Sequence, residues 1–314
     1  MLPTLPPVHY VFFDTGLEMK ATKEHVKETA DRYGVEIETV RPKVGIVNAC
    51  RKYGLPFISK AFSERLGRIQ RKNVPLDIAD EFAAATDKRA KFAELLGRFP
   101  KCVNVIEFLG NYKSKTGTDC TGSQFTISSK PFLLEFLKQN PLPFIVSSKC
   151  CDSCKKKPAH MVSKRYEMVI TGERKAEGGQ RTALTGGGSG CFAEKKDGTF
   201  RLRPLYWVSD KDKEWYKETW GIRYSDAYEV YGLKRTGCCG CPISSRAVEE
   251  LEMIRQYEPN LVKAAWAVFG DSYRFRAAYN AFKAEQYRKA KELPGQMSID
   301  DLERGRDGGP TFDT

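Results

Sequence analysis

Histidine is nearly missing from this chain. His9, His25 and His160 are its only three, and they show no ligand spacing. A Ser–His–Asp triad or a histidine-based metal site therefore has little to be built from. No run of about 18 apolar residues occurs, so no membrane-spanning helix is expected. Residues 1–7 (MLPTLPP) carry neither the basic nor the apolar segment of a secretory signal. A reducing, cytoplasmic setting is therefore expected, in which ten cysteines serve metal binding rather than disulfides. The glycine-rich stretch 185–190 (TGGGSG) has no Gly-Lys-Ser/Thr after it and no clear strand before it. It reads as a flexible loop rather than a phosphate cradle. Internal repeats are absent as well.

What is present is positive charge and paired cysteine. Lysine and arginine number 52 against 40 acidic residues, a formal charge of +12, and 41% of the residues are hydrophobic. The chain can bury a core, and its charge excess attracts polyanions such as nucleic acid, nucleotides, sulfate or phosphate. Basic residues gather near the cysteines: Lys149, Lys155, Lys156, Lys157, Lys234 and Arg235 among them. There they would lower thiolate pKa values, offset the charge of a metal cluster or hold an anion.

Two Cys-x-x-Cys pairs stand far apart, Cys151/Cys154 and Cys238/Cys241, with Cys150 and Cys239 doubling them. A two-residue spacing lets both sulfurs reach one metal from a tight turn. Two such turns supply the four thiolates that tetrahedral zinc or a cubane iron–sulfur cluster requires. The separation is too long for a self-contained zinc knuckle, so the fold must bring the pairs together. Cys191 is either an extra ligand, a reactive thiol or an inert buried cysteine.

Residues 8–14 (VHYVFFD) predict a buried parallel strand and 20–33 a helix stopped by Gly34. Residues 35–40 (VEIETV) predict a second strand, giving a βαβ unit. Residues 1–59 form the N-terminal part of an α/β domain, 60–130 a helical insertion with a loop over 112–122, and 131–246 the remainder of the domain with the cysteines. Residues 247–314 complete the chain as C-terminal helices and a frayed polar tail. Within the third segment, 131–139 predicts a helix, 144–147 a short strand, 166–171 (YEMVIT) a strand and 210–220 an amphipathic helix. Pro259 suits a first helical turn and Gly270 a helix stop.

Ligands bind beyond the carboxyl ends of parallel strands. The segment 172–181 (GERKAEGGQR) follows such a strand. Its glycines permit close backbone approach, and Arg174 and Arg181 can grip an anion in forked geometry. Glu177, Gly178 and Gly179 belong to the same candidate loop. Asp14, Thr15 and Gly16 sit at the end of the first strand, where Asp14 could meet a ribose or a metal and Thr15 a phosphate. Asp, Thr and Gly also make ordinary turns.

Five segments taken together resemble the 3′-phosphoadenosine-5′-phosphosulfate reductase family of adenine-nucleotide α-hydrolases. They are VFFDTGLE (11–18), KCCxxCKKKP (149–158), GERKAEGGQR (172–181), RPLYWVSDKD (203–212) and YGLKRTGCCGCP (231–242). The resemblance implies a doubly wound parallel sheet, an adenine-nucleotide pocket for ATP or an adenylyl sulfonucleotide, and sulfur chemistry. Adenylylsulfate reductases of that family hold a [4Fe-4S] cluster with a Cys-Cys pair and a distant Cys-x-x-Cys, an arrangement that Cys150-Cys151 and Cys238/Cys241 match. Cys151, Cys154, Cys238 and Cys241 are thus the expected ligands, with Cys150 able to replace Cys154. Relatives that thiolate DNA or tRNA make either nucleic acid an expected partner.

Two family features are missing. No Ser-Gly-Gly-x-Asp-Ser pyrophosphate loop occurs, and in the family it follows a central strand preceding VFFDTG. Either the chain begins late relative to its gene product, which is the favoured expectation, or a partner fills the gap, or nucleotide hydrolysis has been lost. No cysteine follows Cys241, so thioredoxin-dependent reduction is not expected. The reading from another class is a zinc-stabilised nucleic-acid-binding protein without catalysis.

Overall fold

The computed structural model describes residues 7–178, 190–194 and 198–292. In chain order its main elements are β1 (Tyr10–Phe13), α1 (Lys20–Tyr33), β2 (Ile37–Val40), α2 (Ile46–Tyr53), α3 (Lys60–Lys72), α4 (Ile78–Ala84), α5 (Lys88–Arg98) and α6 (Val103–Gly110). A small pair β3 (Tyr112–Lys113) and β4 (Thr118–Asp119) follows, then α7 (Leu133–Gln139). Next comes α8 (Lys149–Cys151), continued through a π-helical turn into α9 (Lys157–Ser163). The chain goes on through β5 (Met168–Ile170), β6 (Phe192–Glu194), β7 (Phe200–Leu202), α10 (Asp210–Trp220), α11 (Asp226–Glu229), α12 (Ala247–Arg255) and α13 (Pro259–Glu292).

These elements fall into two compact units. The first comprises Met1–Lys52, Lys149–Cys241 and Arg246–Trp266, and the second Tyr53–Ser148, Pro242–Ser245 and Ala267–Thr314. In the first, β1 and β2 pair in parallel, Tyr10 opposite Ile37 and Phe13 opposite Val40. α1 connects them, and Gly34 ends it in the left-handed conformation at φ 59°, donating its N–H back into the last turn. This is the βαβ unit expected from the periodicity of 8–40. A second sheet has the order β5-β7-β6, with β5 and β7 parallel and β6 antiparallel to β7.

The fold is thus mixed α/β, with small sheets. Among the described residues the β1–β2 pair and the β5–β7–β6 sheet are separate, so no single doubly wound sheet is formed. Among the described residues, β1 is bonded on one edge, and so is β5. Near the starts of the two strands, the His9 ring stacks on Tyr166 at 5.4 Å between centroids. Glu38 on β2 accepts from Arg165 at 2.6 Å and lies 2.6 Å from the His9 ring nitrogen. Tyr10 on β1 stays exposed at 43%, as do the alternate Met168 and Ile170 of β5 at 42% and 49%.

The second unit is helical and holds the expected 60–130 stretch within wider limits. Its core gathers Phe57, Phe62, Leu66, Phe82, Phe108 and Phe136, and ring pairs such as Phe62–Phe108 meet edge to face at 5.0 Å. Phe275 and Tyr279 of α13 join that core. Gly67 on α3 lies so close to the chain at Val146 that an added Cβ would fall 2.2 Å from the Val146 carbonyl oxygen.

Local expectations needed correction in three places. The 112–122 loop carries the β3–β4 hairpin, whose return Gly117 opens at φ 71°. The 144–147 strand is reduced to a single bridge between Leu55 and Val146. Gly270 does not stop its helix. Phe269, Ser272 and Tyr273 are buried on both sides of it, and Ser272 donates to the Pro56 carbonyl at 2.7 Å. That packing outweighs the roughly 1 kcal/mol helix cost of one glycine. No helix among the described residues is long and apolar enough to cross a membrane. The tail from 295 lies outside the described residues.

Candidate functional site

The turn that follows β1 organises the first unit. Asp14 is almost fully buried, with 4% of its surface exposed. It accepts the Gly16 N–H at 3.0 Å, and its other oxygen lies 3.3 Å from Arg41 and 3.4 Å from Lys23. Burial works to raise its pKa, but the Gly16 N–H, Lys23 and Arg41 together hold the carboxyl below its usual value. Gly16 takes φ 92°, a conformation suited to glycine. Asp14 is therefore the keystone of the turn, and its charge is already matched.

Thr15, buried beside it, donates to Glu18 at 2.8 Å and sits 3.3 Å from the Cys238 sulfur. Leu17 accepts the Cys239 N–H at 2.8 Å. The second cysteine turn is thus docked by backbone and side chain onto the carboxyl end of β1. Gly240 closes that turn at φ 65°, with Cys241 N–H bonded to the Cys238 carbonyl at 3.2 Å.

The first cysteine pair arrives from the other side on one continuous helical run, α8 to α9. Its middle, Asp152–Lys156, is a π-helical turn. Such wide turns recur at functional sites. Cys154 donates to the Val44 carbonyl at 3.2 Å. Its pKa is pushed up to about 11 by burial and by the neighbouring sulfurs of Cys238 and Cys151. Cys150 is hydrogen-bonded to Cys151, which acts to lower its pKa, but contact with Cys50, burial and nearby Cys241 raise it overall. Cys238 is raised by burial, against the opposing pull of Lys155 and Thr15. Desolvation would lower the Lys155 pKa, yet the Cys238 sulfur and Glu18 raise it. Cys239 is pushed up to about 12 by burial. None of these cysteines is joined in a disulfide.

The fold thus brings both Cys-x-x-Cys pairs into one neighbourhood with Thr15, Glu18 and Lys155. A further thiol, the buried Cys50 of α2, joins them. No local spacing announces Cys50. It lies on the buried face of a short helix with Ile46 and Ala49, and only the tertiary fold reveals it. Cys102 and Cys120 belong to the second unit. Among the described residues, no group of three or more His, Cys, Asp or Glu side chains is set ready to hold a metal ion. The donors fit a thiophilic metal in type and in neighbourhood, whereas their present rotamers serve other partners, as the Cys154–Val44 bond shows.

The loop after β5 is tied down rather than open. Glu173 accepts from the buried Arg203 at 2.8 Å, and Arg203 also donates to the Gly190 carbonyl at 3.1 Å. Burial works to raise the Glu173 pKa, but Arg203 outweighs it and holds the carboxyl below its usual value. Lys175 N–H bonds the Tyr206 carbonyl at 2.8 Å. Arg174 donates to the Val208 carbonyl at 3.2 Å and to Asp210 at 2.8 Å, with Glu177 at 3.9 Å from it. Residues 172–178 and 203–210, from two of the segments quoted for the family resemblance, are thereby stitched together. Gly178 takes φ 69°. Gly179 and Arg181 lie outside the described residues, as does the 185–190 stretch except Gly190. Cys191 is partly exposed in the β6 approach, and its carbonyl accepts from Arg203 N–H at 2.6 Å.

No family model matches the chain, and no curated protein matches it.

Proposed function

We propose that the first unit is a thiolate metal centre coupled to an adenine-nucleotide site, working in sulfur transfer or sulfonucleotide chemistry as in the phosphoadenosine phosphosulfate reductase family. One observation carries this reading. Two distant Cys-x-x-Cys turns meet at the carboxyl end of a parallel strand, where Thr15 lies 3.3 Å from Cys238. Cys151, Cys154, Cys238 and Cys241 would hold a [4Fe-4S] cluster, with Cys150 in place of Cys154 as the alternative, and zinc as the alternative metal. A bound cluster supplies electron transfer or a site for sulfur. Lys155 offsets thiolate charge at Cys238, and Thr15 orients that sulfur.

The nucleotide would lie beyond the carboxyl ends of β1 and β5, at Thr15, Gly16 and the 172–181 loop. Here the matched charges of Asp14 and Arg174 matter, because neither side chain is waiting for a ligand. Anion binding then falls to backbone N–H groups and to an added strand with a pyrophosphate loop. The open edges of β1 and β5 favour such a strand, which would join the two sheets into the doubly wound arrangement.

The test is anaerobic purification and reconstitution with iron and sulfide. A brown protein with visible charge-transfer absorption that is lost in Cys238→Ser supports the cluster. A colourless protein carrying stoichiometric zinc supports the zinc-stabilised, non-catalytic reading. A chain that takes up neither metal removes both.

A further inference from the structure

Cys50 belongs to neither Cys-x-x-Cys pair, yet the fold holds it against the first of them. It lies on the buried face of α2 with Ile46 and Ala49, 3% exposed. The helix is entered with the Ala49 N–H bonded to the Gly45 carbonyl at 2.9 Å. Just before it, the Val44 carbonyl accepts from the Cys154 thiol at 3.2 Å. Further along α2, the Cys50 thiol is hydrogen-bonded to the Cys150 thiol. Val44 meets Cys154 and Cys50 meets Cys150, so this segment runs antiparallel to the run from α8 to α9 and is tied to it at two places. The contact between the two sulfurs is therefore fixed from both sides. Cys150 is as buried as its partner, at 2% exposure.

Which of these sulfurs keeps a proton then singles Cys50 out. Cys150 has three sulfur neighbours, Cys50 and Cys151 in hydrogen-bond contact and Cys241 nearby. A cysteine that ligates a metal gives up its proton, because the thiolate is the ligand. Cys151 and Cys241 are ligands in both of the sets proposed above, so neither has a proton left to share. Cys50 is in neither set, and no metal takes its proton. The sulfur of a metal-bound Cys150 offers lone pairs only. Of its three sulfur neighbours, Cys50 alone still has an S–H to give it.

We propose that Cys50 is a positioning residue of the thiolate centre, donating its S–H to the metal-bound sulfur of Cys150. This rests on the metal-centre reading, and within it on the ligand set that contains Cys150. A thiol is a weak donor. Hydrogen bonds to ligand sulfurs nevertheless hold the ligand in place, offset thiolate charge and move both metal affinity and reduction potential. Cys238 receives that support from Lys155, a cation. Cys50 supplies it to Cys150 without bringing a charge into a buried position. It also explains why a polarisable thiol stands on the apolar face of α2, where alanine would pack with less volume and no donor.

The experiment compares the full chain with Cys50→Ala and Cys50→Ser. Each is loaded with zinc and titrated against a chelator, and urea unfolding of the metal-free proteins is run alongside. Cys50→Ala should weaken zinc binding about tenfold, the scale of a lost partner behind a ligand. Cys50→Ser keeps an O–H donor and should restore most of that affinity. On reconstitution with iron and sulfide, the reduction potential should fall in Cys50→Ala and recover in Cys50→Ser, because the bond stabilises the more negative, reduced centre. Should Cys50→Ala not fold, Cys50→Val, apolar and closer to cysteine in volume, takes its place. A lower urea midpoint with unchanged zinc affinity marks a residue that only packs, and overturns the proposal. Equal losses in the alanine and serine variants overturn it too, since they make Cys50 a ligand itself. So does full zinc binding by Cys150→Ser, which removes Cys150 from the ligand set. A wild-type chain that takes up neither zinc nor iron overturns the metal-centre reading and this proposal together, whereas metal uptake that is indifferent to Cys50 overturns this proposal alone.

Discussion

Asp14→Asn separates the ionic part of the β1 turn from its hydrogen bonds. Asparagine keeps an oxygen for the Gly16 N–H, and the backbone bond from Asp14 N–H to the Val40 carbonyl at 3.0 Å is untouched. What is lost is attraction to Lys23 at 3.4 Å and Arg41 at 3.3 Å. At such distances a unit pair is worth roughly 5 kcal/mol in a medium of dielectric about 20 and roughly 1 kcal/mol in water. Both cations are well exposed, at 42% and 77% of their side chains, so the watery end applies and neither is left as a buried orphan. The expected loss is about 1–3 kcal/mol at neutral pH, read as a shift of the urea midpoint without a change in slope. The sign with pH follows from the lowered Asp14 pKa. A carboxylate depressed in the folded state contributes its full stability above the unfolded value of about 3.9, and loses it as pH falls through the folded one. The gap between the two proteins should therefore stay constant down to about pH 4 and close below it. Equal stabilities at pH 7, or a gap that widens in acid, would refute the reasoning.

Cys238→Ser or Cys241→Ser should abolish metal uptake and lower stability, whereas Cys102→Ser, in the second unit, should leave metal content unchanged; elemental analysis after reconstitution decides. Arg203→Ala removes the cation from Glu173 and a donor from Gly190, so a loss of about 2–3 kcal/mol is expected by urea titration, and a neutral result would show that the stitched loop is held by its backbone alone. Gly67→Ala should destabilise the second unit by about 1–3 kcal/mol in spite of alanine's better helix propensity, because its Cβ would meet the Val146 carbonyl; a gain in melting temperature would contradict that packing.

Much of the first unit was legible because its signals are local. The apolar run before Asp14, the helix up to Gly34 and the alternation over 35–40 each specify an element, and the parallel pairing follows from the helix between them. The capped helix 210–220 was readable for the same reason. The cysteine spacing announced the turn at Cys238–Cys241, whereas the first pair lies on the helical run from α8 to α9. Sequence could not supply what depends on distant partners. Cys50 has no neighbour in the chain to mark it. Arg174 reads as a free anion clamp until Asp210, well downstream, is found against it. Gly270 reads as a stop until the burial on either side of it is known. The one-sheet expectation needed a strand for the free edges of β1 and β5, and composition carries no information about edge pairing.

Those two free edges set a condition on how the protein lives in a cell. Edge N–H and C=O groups that have no strand partner among the described residues, flanked by exposed Tyr10, Met168 and Ile170, form a template for indiscriminate strand addition. Whatever occupies them stabilises the folded chain by mass action, so abundance should track the supply of that occupant. Overproduced without it, the chain should drift to inclusion bodies or chaperones and be cleared by proteolysis. Yield on co-expression then becomes a screen, and the polypeptide that rescues solubility identifies itself.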